Sequence, residues 1–249
     1  MKVLGKKVVV ITGGAGALGL VTAKLYLSKG SSVMLVDNDK EALKLAAKTL
    51  NHNELAYVVA DVTRTSDTRL YVSETVKRFG KIDVYIYCVG VIGMIMPIIQ
   101  ISEEDFAYAK WVNFSGAWLG CQYVLPEMND RGSVILVTST AGHWGPADKG
   151  RYTQCKHAML RLMRTLSLEV AHRNIRVNTI DPINFEGRIM RNPEEKLISG
   201  NRDELKQIMK LMIPLGRYAE PEGVAHSLLI FGCQQYIYHR YNPCDIRRV

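Results

Sequence analysis

The fold of this chain is decided by one stretch near its start, KVVVITGGAGALG (residues 7–19). Its first half, Lys7–Thr12, is a β-branched run typical of a buried strand, and a helical pattern from Leu18 to Ser28 follows the glycines. A glycine-rich turn between a strand and a helix lets backbone N–H groups approach a diphosphate, and the helix N-terminus adds partial positive charge. The stretch therefore predicts the first βα unit of a parallel sheet, with a phosphate-binding turn at its carboxyl end.

Strand and helix patterns alternate along most of the remaining chain. Further strands are predicted at Ser32–Val36, Leu55–Ala60, Ile82–Val89, Ser133–Thr138 and Ile175–Ile180. Helices are predicted at Glu41–Leu50, Ser66–Phe79, Ser102–Met128, Tyr152–His172 and Pro221–Phe231. Strands rich in Val and Ile that alternate with helices are buried on both faces, because right-handed crossovers place helices on both sides of the sheet. The prediction is an α/β fold with a doubly wound, mostly parallel sheet of the Rossmann type.

Length and composition indicate one ordinary globular unit. Of the 249 residues, 47% are hydrophobic and 22% are charged. No repeat and no linker-like stretch interrupts the alternation, so we expect residues 1–249 to form a single domain. The 5 cysteines form no Cys-x-x-Cys pair, which argues against a disulfide framework or a metal site. An amphipathic segment, Glu194–Met212, lies between two prolines, and we expect residues 183–215 to form a lid over a site.

Charge and hydropathy argue against nucleic acid and membrane partners. The formal net charge is +8 at pH 7, but the basic residues are spread over both halves of the chain. A diffuse positive field offers no groove or register for nucleic acid. No stretch reaches the roughly 18 apolar residues that a membrane helix requires, and the apolar run after the basic start is too short for a signal peptide. We therefore expect a cytoplasmic protein that acts on a small molecule.

An acidic residue follows the second predicted strand at the position where dinucleotide-binding folds use one. Asp37 lies about 20 residues after the glycines, where a carboxylate can bind the adenosine ribose hydroxyls. A 2′-phosphate would be repelled there, and neither the glycine turn nor Asn38 offers a cation to offset the repulsion. NAD is therefore predicted over NADP. The alternative is that Asp37 is a helix N-cap or turn residue. Asp61-Val62, after the third strand, would lie beside the adenine.

Four polar residues could perform chemistry at the carboxyl edge of this sheet. Tyr152 and Lys156 are four residues apart at the start of a predicted helix, so they share one face. The spacing alone carries little weight, but Ser139 ends the preceding predicted strand, where ligands of such sheets bind. Asn113 lies on the long helix before that strand.

At this point the chain resembles the short-chain dehydrogenase/reductase family over nearly its whole length. The glycine turn, Asp37, Asp61-Val62, Asn113, Ser139 and Tyr152-x-x-x-Lys156 occur in the family's order and at its spacings. The later runs 175–182, 214–217 and 221–225 also resemble the family's sixth strand and the segment after its lid. The resemblance implies a hydride-transferring enzyme that forms a dimer or tetramer through its long helices.

The resemblance also implies a role for each matched residue. Tyr152 would take the proton of the substrate hydroxyl, and Lys156 would lower the pKa of Tyr152 and hold the nicotinamide ribose. Ser139 would stabilise the substrate oxygen, and Asn113 would hold a water in a proton relay. Free tyrosine has a pKa near 10, so this role requires a decrease of about 3 units from the ammonium and the cofactor together. The expected contacts of NAD are Gly13, Ala17, Leu18, Gly19, Asp37, Asp61, Val62, Cys88, Gly90, Tyr152, Lys156 and Phe185.

Several positions depart from the family's pattern. Ala17 replaces the second glycine of the turn, which is tolerable if the backbone there is not left-handed. Tyr87-Cys88 stands where the family has two asparagines, so the side-chain support of the central strands must differ. Ile183 and Gly187 replace a glycine and a threonine near the nicotinamide. The last strand, within residues 236–248, lacks the family's glycines, which puts the usual tetramer contact there in question.

The substrate side is specified by apolar loop residues. They are Met94, Ile95, Met96, Trp144, Ile183, Phe185 and Met190. An apolar pocket suits a hydrophobic or cyclic secondary alcohol and its ketone, unless these residues only pack against neighbouring loops. His143, close to Ser139, is interpreted as a loop histidine, with a catalytic role as the alternative.

Two other functions stay open. Basic residues near the predicted lid, Arg188, Arg191, Lys206 and Lys210, could favour a 3-oxoacyl thioester, although Asp37 argues against the NADP that such reductases commonly use. A dinucleotide sensor or scaffold that has lost turnover is the third reading. The altered residues at 87, 88 and 183 motivate it, and the intact residues at 113, 139, 152 and 156 oppose it.

Overall fold

A computed structural model describes residues 6–93, 95–182, 207, 210–211 and 213–233. Its strands are β1 Val8–Thr12, β2 Ser32–Asp37, β3 Leu55–Val59, β4 Ile82–Tyr87, β5 Met128–Val137 and β6 Arg176–Ile180. They form one sheet in the order β3-β2-β1-β4-β5-β6, and every neighbouring pair is parallel. Strand order reverses beside β1, and ligands of such sheets bind in the crevice at that reversal. The predicted doubly wound fold is confirmed.

Helices cover both faces of the sheet. They are α1 Ala17–Ser28, α2 Lys40–Leu50, α3 Thr65–Phe79, α4 Glu103–Lys110, α5 Gly116–Val124, α6 Gly150–Glu169 and α7 Pro221–Cys233. Short polar side chains start two of them, since Asp39 accepts a hydrogen bond from the Ala42 amide and Ser102 accepts one from the Asp105 amide. Pro221 opens α7, where a missing N–H has no cost.

Alternate residues of each strand divide the core into two layers. On β1, Val9 and Ile11 join α1, α2 and α7 on one face, whereas Val10 joins α3, α5 and α6 on the other. This alternation is what a parallel sheet with two covered faces requires. Helices cover both faces, so polar residues can lie at the open edge formed by the carboxyl ends of the strands.

The predicted single helix 102–128 is not continuous. Residues Trp111–Ser115 form a π-helical turn between α4 and α5. The Tyr87 phenol donates a hydrogen bond to the Val112 carbonyl within this turn, and a Cβ at Gly116 would lie only 2.5 Å from the Tyr87 oxygen. Tyr87 therefore supports the widened turn from the sheet, and glycine at 116 leaves room for its ring. Turns of this kind are frequent at functional sites.

Four other predicted segments have different bounds or lie wholly or mostly outside the described residues. β5 begins five residues earlier than the predicted Ser133, because its polar start pairs irregularly with β4 and places Arg131 at a φ of 64°. Most of the predicted lid, 183–215, and the whole of the last strand, 236–248, lie outside the described residues. The predicted helix at 221–231 is present and extends to Cys233.

Candidate active site

The glycine turn has a geometry that only glycine allows at two positions. Gly13 has a φ of 69°, and a Cβ there would lie 2.9 Å from the Cys88 carbonyl oxygen. A Cβ at Gly19 would lie 2.3 Å from the Gly13 carbonyl oxygen. The turn is therefore pressed against the loop after β4 on one side and against α1 on the other.

The N-terminus of α1 is open for an anion. Gly16 is its N-cap and has no side chain to accept hydrogen bonds from the first amides of the helix. Ala17 is the first helical residue, so its backbone is right-handed and the methyl that replaces a glycine is compatible with it. Leu18 is buried in the core, so only its backbone is available to a ligand. These features fit a bound diphosphate.

Asp37 lies at the end of β2 beside this turn. Its carboxylate accepts hydrogen bonds of 3.2 Å from the amides of Ala15 and Asp39. The N-cap of α2 is Asp39 and not Asp37, so the alternative of an N-cap role for Asp37 is wrong. The carboxylate is held in place by backbone donors and stays partly exposed.

A cavity of about 200 Å³ lies next to Asp37. Its lining residues are Asn38, Val59, Ala60, Asp61, Arg64 and Asp67. The Asp61 carboxylate accepts hydrogen bonds from the amide and hydroxyl of Thr63, and the Arg64 Nε lies 3.9 Å from it. Val62 is buried in the core and does not line this cavity. Asp61 thus lines the cavity where an adenine contact was predicted, whereas only the backbone of Val62 is available to a ligand.

Sequence reasoning missed Arg64. It brings a cation into the predicted adenine site, although Asp61 opposes its charge and its own side chain is mostly exposed. The sequence did contain a signal for Arg64, since this residue immediately precedes the helix that follows Asp61-Val62.

Three of the four predicted catalytic side chains meet at the end of β5. Ser139 follows that strand, and its hydroxyl accepts a hydrogen bond of 3.2 Å from the Ala141 amide. Tyr152 lies in the first turn of α6 and is hydrogen-bonded to Ser139. Lys156 lies one turn later, with Nζ 5.4 Å from the centre of the Tyr152 ring. A substrate oxygen that contacts Ser139 would therefore also be near the phenol.

Lys156 is a buried cation. Its residue is 2% exposed, and Nζ donates a hydrogen bond of 3.0 Å to the Val137 carbonyl. Burial lowers the pKa of Lys156 from 10.5 to about 8, while Cys88, Cys155 and Asp181 act in the opposite direction. Burial also raises the pKa of the Cys88 thiol to about 12 and that of the Cys155 thiol above its usual value, so both are uncharged at neutral pH. Asp181 is the one of these three neighbours that carries negative charge.

The lowered pKa expected for the Tyr152 phenol depends on the ammonium and the cofactor together. Burial raises its pKa above the usual 10, and the hydrogen bond with Ser139 lowers it only in part. The phenol is therefore protonated at neutral pH and is poised to donate a proton. Removal of that proton needs additional positive charge beside Lys156.

Asn113 lies in the π-helical turn and is fully buried. Its amide nitrogen donates hydrogen bonds to the carbonyls of Val91 and Ala109, and its Oδ1 accepts one from the Val91 amide. The side chain therefore fixes the loop after β4. Because both amide hydrogens are used, the predicted water relay would depend on Oδ1 or on the backbone carbonyl.

The loop after β4 is held on a second side by Arg151. This residue is 3% exposed, its guanidinium packs on Gly93, and it lies 3.7 Å from the Asp105 carboxylate. Cys88 and Gly90 lie at the start of the same loop, and the Cys88 amide donates to the Thr12 carbonyl at 3.2 Å. Cys88 therefore borders the glycine turn, whereas Phe185 lies outside the described residues. The sequence analysis did not single out Arg151, because arginine beside the matched tyrosine belongs to no motif.

A carboxylate–histidine pair lies on the other side of Ser139. Asp181 follows β6, and His143 follows the short turn after Ser139; His143 Nε2 and the Asp181 carboxylate are 2.9 Å apart. In the described part of the chain, no cluster of three or more His, Cys, Asp or Glu side chains could hold a metal ion. Within the same residues, no helix has the length and apolar character for a membrane span.

Comparison with known proteins gives consistent matches over most of the chain. The short chain dehydrogenase family model matches residues 7–197. A 3-oxoacyl-[acyl-carrier-protein] reductase of Thermotoga maritima is 30% identical over 236 residues, which cover 93% of this chain and 92% of that protein. The levodione reductase of Leifsonia aquatica is 29% identical over 225 residues, covering 88% and 84%.

Solved structures agree with these matches. A crystal structure of levodione reductase has a TM-score of 0.86 at 28% identity and covers 92% of this chain and 91% of its own. The crystal structure of NAD+-bound xylitol dehydrogenase has a TM-score of 0.85 at 28% identity, covering 91% and 92%.

Proposed function

The chain belongs to the short-chain dehydrogenase/reductase family, and on that premise we propose that it transfers a hydride between NAD and a small to medium hydrophobic secondary alcohol or its ketone. A cyclic alcohol suits the proposal well. The observation that carries it is the meeting of Ser139, Tyr152 and Lys156 in one shielded corner at the carboxyl edge of the sheet. This corner offers a proton donor, an oxygen-binding hydroxyl and a fixed cation together.

Each of the three side chains has a distinct task in this proposal. In ketone reduction, the Tyr152 phenol donates its proton to the carbonyl oxygen, and the Ser139 hydroxyl hydrogen-bonds the same oxygen as its charge develops. The Lys156 ammonium then stabilises the phenolate that remains. Nicotinamide dinucleotide, when bound, supplies or accepts the hydride. Oxidation uses the same groups in reverse, with the phenolate as the base.

NAD is preferred over NADP in this proposal because of Asp37. Its carboxylate is held by two backbone amides at the end of β2, so it cannot easily turn away from an additional phosphate. Arg64 in the neighbouring cavity offers some compensation, but it pairs with Asp61. The similar xylitol dehydrogenase is a NAD+-bound structure, which supports the same choice.

The substrate class is inferred from the described part of the apolar loops. Ile95 and Met96 are partly buried, and the Met96 amide donates to the Asp148 carbonyl at 2.9 Å, which joins this loop to the start of α6. Trp144 is 48% exposed near Ser139. These side chains suit a hydrophobic substrate more than a sugar or a phosphate ester.

A panel assay tests the proposal directly. Absorbance of the reduced nicotinamide is followed with NAD or NADP and a series of cyclic and acyclic secondary alcohols, and with NADH or NADPH and their ketones. We expect turnover with NAD and hydrophobic alcohols and at least a tenfold lower kcat/KM with NADP. NAD binding with no turnover across the panel would favour the sensor, and a preference for NADP would overturn the cofactor assignment.

Reduction of 3-oxoacyl thioesters is the second candidate. A relative named for that activity is 30% identical over 93% of this chain. Of the four basic residues that suggested a thioester, only Lys210 is among the described residues. Adding a 3-oxoacyl thioester to the panel separates the two candidates.

We further propose that the protein is a single cytoplasmic domain, residues 1–249 with a lid at 183–215, that assembles into a dimer or tetramer. The support is a set of large apolar side chains that stay exposed on the helices on one side of the sheet. They are Phe106, Tyr108, Trp111, Trp118 and Leu168. Light scattering at several protein concentrations tests the assembly.

A further inference from the structure

Asp181 is held at both of its carboxylate oxygens. The Thr138 hydroxyl donates to Oδ1, and His143 Nε2 lies 2.9 Å from Oδ2. The backbone closes the same corner, since the Thr138 amide donates to the Ile180 carbonyl at 2.8 Å and the Thr140 amide donates to the Pro182 carbonyl at 3.2 Å. The ends of β5 and β6 therefore hold this carboxylate in one orientation, with 25% of its side chain exposed.

The carboxylate determines which nitrogen of His143 carries the proton. A carboxylate only accepts hydrogen bonds, so Nε2 must be the donor. In the neutral imidazole, Nδ1 is then an acceptor. Among the residues that the structure describes, none makes a hydrogen bond to Nδ1, and 56% of the side chain is exposed. His143 thus presents an oriented acceptor for a hydroxyl group.

This acceptor lies beside the catalytic corner. His143 is one short turn after Ser139, and its amide donates to the Thr140 carbonyl at 2.9 Å. The same turn packs against α6, where a Cβ at Gly142 would lie 3.1 Å from the Lys156 carbonyl oxygen. Asp181 also acts on the Lys156 ammonium across this corner. His143 therefore lies within one short turn of the hydroxyl that would bind the substrate oxygen.

We propose that His143, oriented by Asp181 and Thr138, binds a second hydroxyl group of the substrate through Nδ1. The substrate class would then be hydrophobic diols and hydroxy ketones, with the second hydroxyl near the reacting carbon, in preference to simple alcohols. Asp181 is a positioning residue in this arrangement. The inference rests on the proposed function, because it names the substrate class of the same site.

The competing interpretation is that His143 and Asp181 form an exposed salt bridge with only a local effect. Such pairs contribute little to stability, and their removal changes little else. The present pair differs because the carboxylate is three-quarters buried and also bound by Thr138. A preorganised acceptor of this kind discriminates between ligands that do and do not supply the hydrogen bond.

The experiment compares two substrates that differ by one hydroxyl group, cyclohexanol and 1,2-cyclohexanediol, each oxidised with NAD. The variants are His143→Phe, His143→Asn and Asp181→Asn, and His226→Phe on the distant α7 is the matched control. We expect the parent to favour the diol in kcat/KM by at least tenfold. His143→Phe removes this preference mainly through the KM of the diol. His143→Asn restores part of the preference, because its amide oxygen can replace Nδ1. The preference of Asp181→Asn is between those of the two His143 variants.

The outcomes separate this inference from the proposed function. Equal kcat/KM for the two substrates in the parent, or an equal loss for both in His143→Phe, would overturn the inference while leaving the alcohol dehydrogenase intact. Absence of turnover with every alcohol and ketone of the panel would overturn the proposed function and the inference with it. NADH affinity and melting temperature are measured for each variant, so that a fall caused by misfolding is not counted as lost recognition.

Discussion

The two halves of the sheet make their functional groups in different ways. In the half formed by β1 to β3, the groups are backbone amides and the carboxylate of Asp37, and their positions follow from one local stretch and one strand end. In the half formed by β4 to β6, the functional groups are side chains from separate elements. Most departures from the family pattern also fall in this half. On the proposed function, the half formed by β1 to β3, the cofactor half, would face the dinucleotide with groups fixed by backbone geometry. The half formed by β4 to β6, the catalytic half, would face the substrate with side chains.

The halves also differ in how much their charged groups destabilise the folded state. Asp37 is partly exposed and is bound by amides, so its charge is well solvated. Lys156 is buried, and burial lowers its pKa to about 8. A charged group in such a place is retained for function at the expense of stability.

The largest expected effect is that of removing the proton donor in the catalytic half. Tyr152→Phe deletes only the hydroxyl that is hydrogen-bonded to Ser139. We therefore expect kcat to fall by about 10³-fold, within the usual range for a general acid or base. NADH affinity, measured by fluorescence titration, should change by less than about threefold, because the turn and Asp37 are untouched. Retention of even a tenth of the parent rate would show that another group transfers the proton.

Replacing the buried cation should stabilise the protein while it inactivates it. Unfolded lysine has a pKa of 10.5, so a folded value of about 8 corresponds to about 3 kcal/mol of unfavourable free energy at neutral pH. Lys156→Met removes this cost and loses the hydrogen bond to Val137, worth about 1 kcal/mol, which leaves a net gain near 2 kcal/mol.

Urea denaturation across pH checks both the size and the sign of this gain. The unfolded chain binds the proton more strongly, so the parent gains stability as pH rises from about 8 to 10.5. The advantage of Lys156→Met should therefore be full below pH 8 and turn into a deficit of about 1 kcal/mol above pH 10.5, where only the lost hydrogen bond remains. Lys44→Met, at an exposed lysine on α2, is the control, and a variant no more stable than the parent at pH 7 would contradict the argument.

In the cofactor half, the carboxylate of Asp37 is expected to set the choice between NAD and NADP. Two charges about 8 Å apart at an effective dielectric constant near 20 repel by about 2 kcal/mol. Asp37→Ser should therefore reduce the preference for NAD by roughly 30-fold in kcat/KM. Asp39→Ser keeps a cap on α2 and is the matched control. If the preference for NAD stays within threefold of the parent's, Arg64 or another residue must set the choice between NAD and NADP.

The cofactor half could largely be predicted from the sequence, because its signals are local. The strand, the glycines and Asp37 are contiguous or one strand apart, and parallel strands bring their ends together without further information. Ala17 is an example, since its place as the first helical residue explains why a methyl is tolerated. The burial of the Val62 side chain was not predicted, because a dipeptide does not reveal which of its side chains turns into the core.

The catalytic half could be predicted only where a motif existed. Ser139, Tyr152 and Lys156 were predicted from the resemblance to the family's ordered motifs. The π-helical turn was not predicted, because it depends on Tyr87 reaching Val112 from a neighbouring strand. The Asp181–His143 pair joins residues 38 positions apart, and no local pattern records it. The pKa of Tyr152 could not be derived from the sequence, since burial, which raises it, is a tertiary property.

A pH dependence tests whether the two halves are coupled through Lys156. The kcat/KM for NADH reports ionisations of the free enzyme, in which Lys156 loses its charge as pH rises through about 8. If that ammonium holds the dinucleotide, kcat/KM should be level from pH 6 to 7.5 and fall about tenfold for each unit well above 8. Asp37→Ser should lower the whole profile without moving the point at which it falls. A profile that stays level to pH 10 would mean that the cofactor half binds the dinucleotide without help from the buried cation.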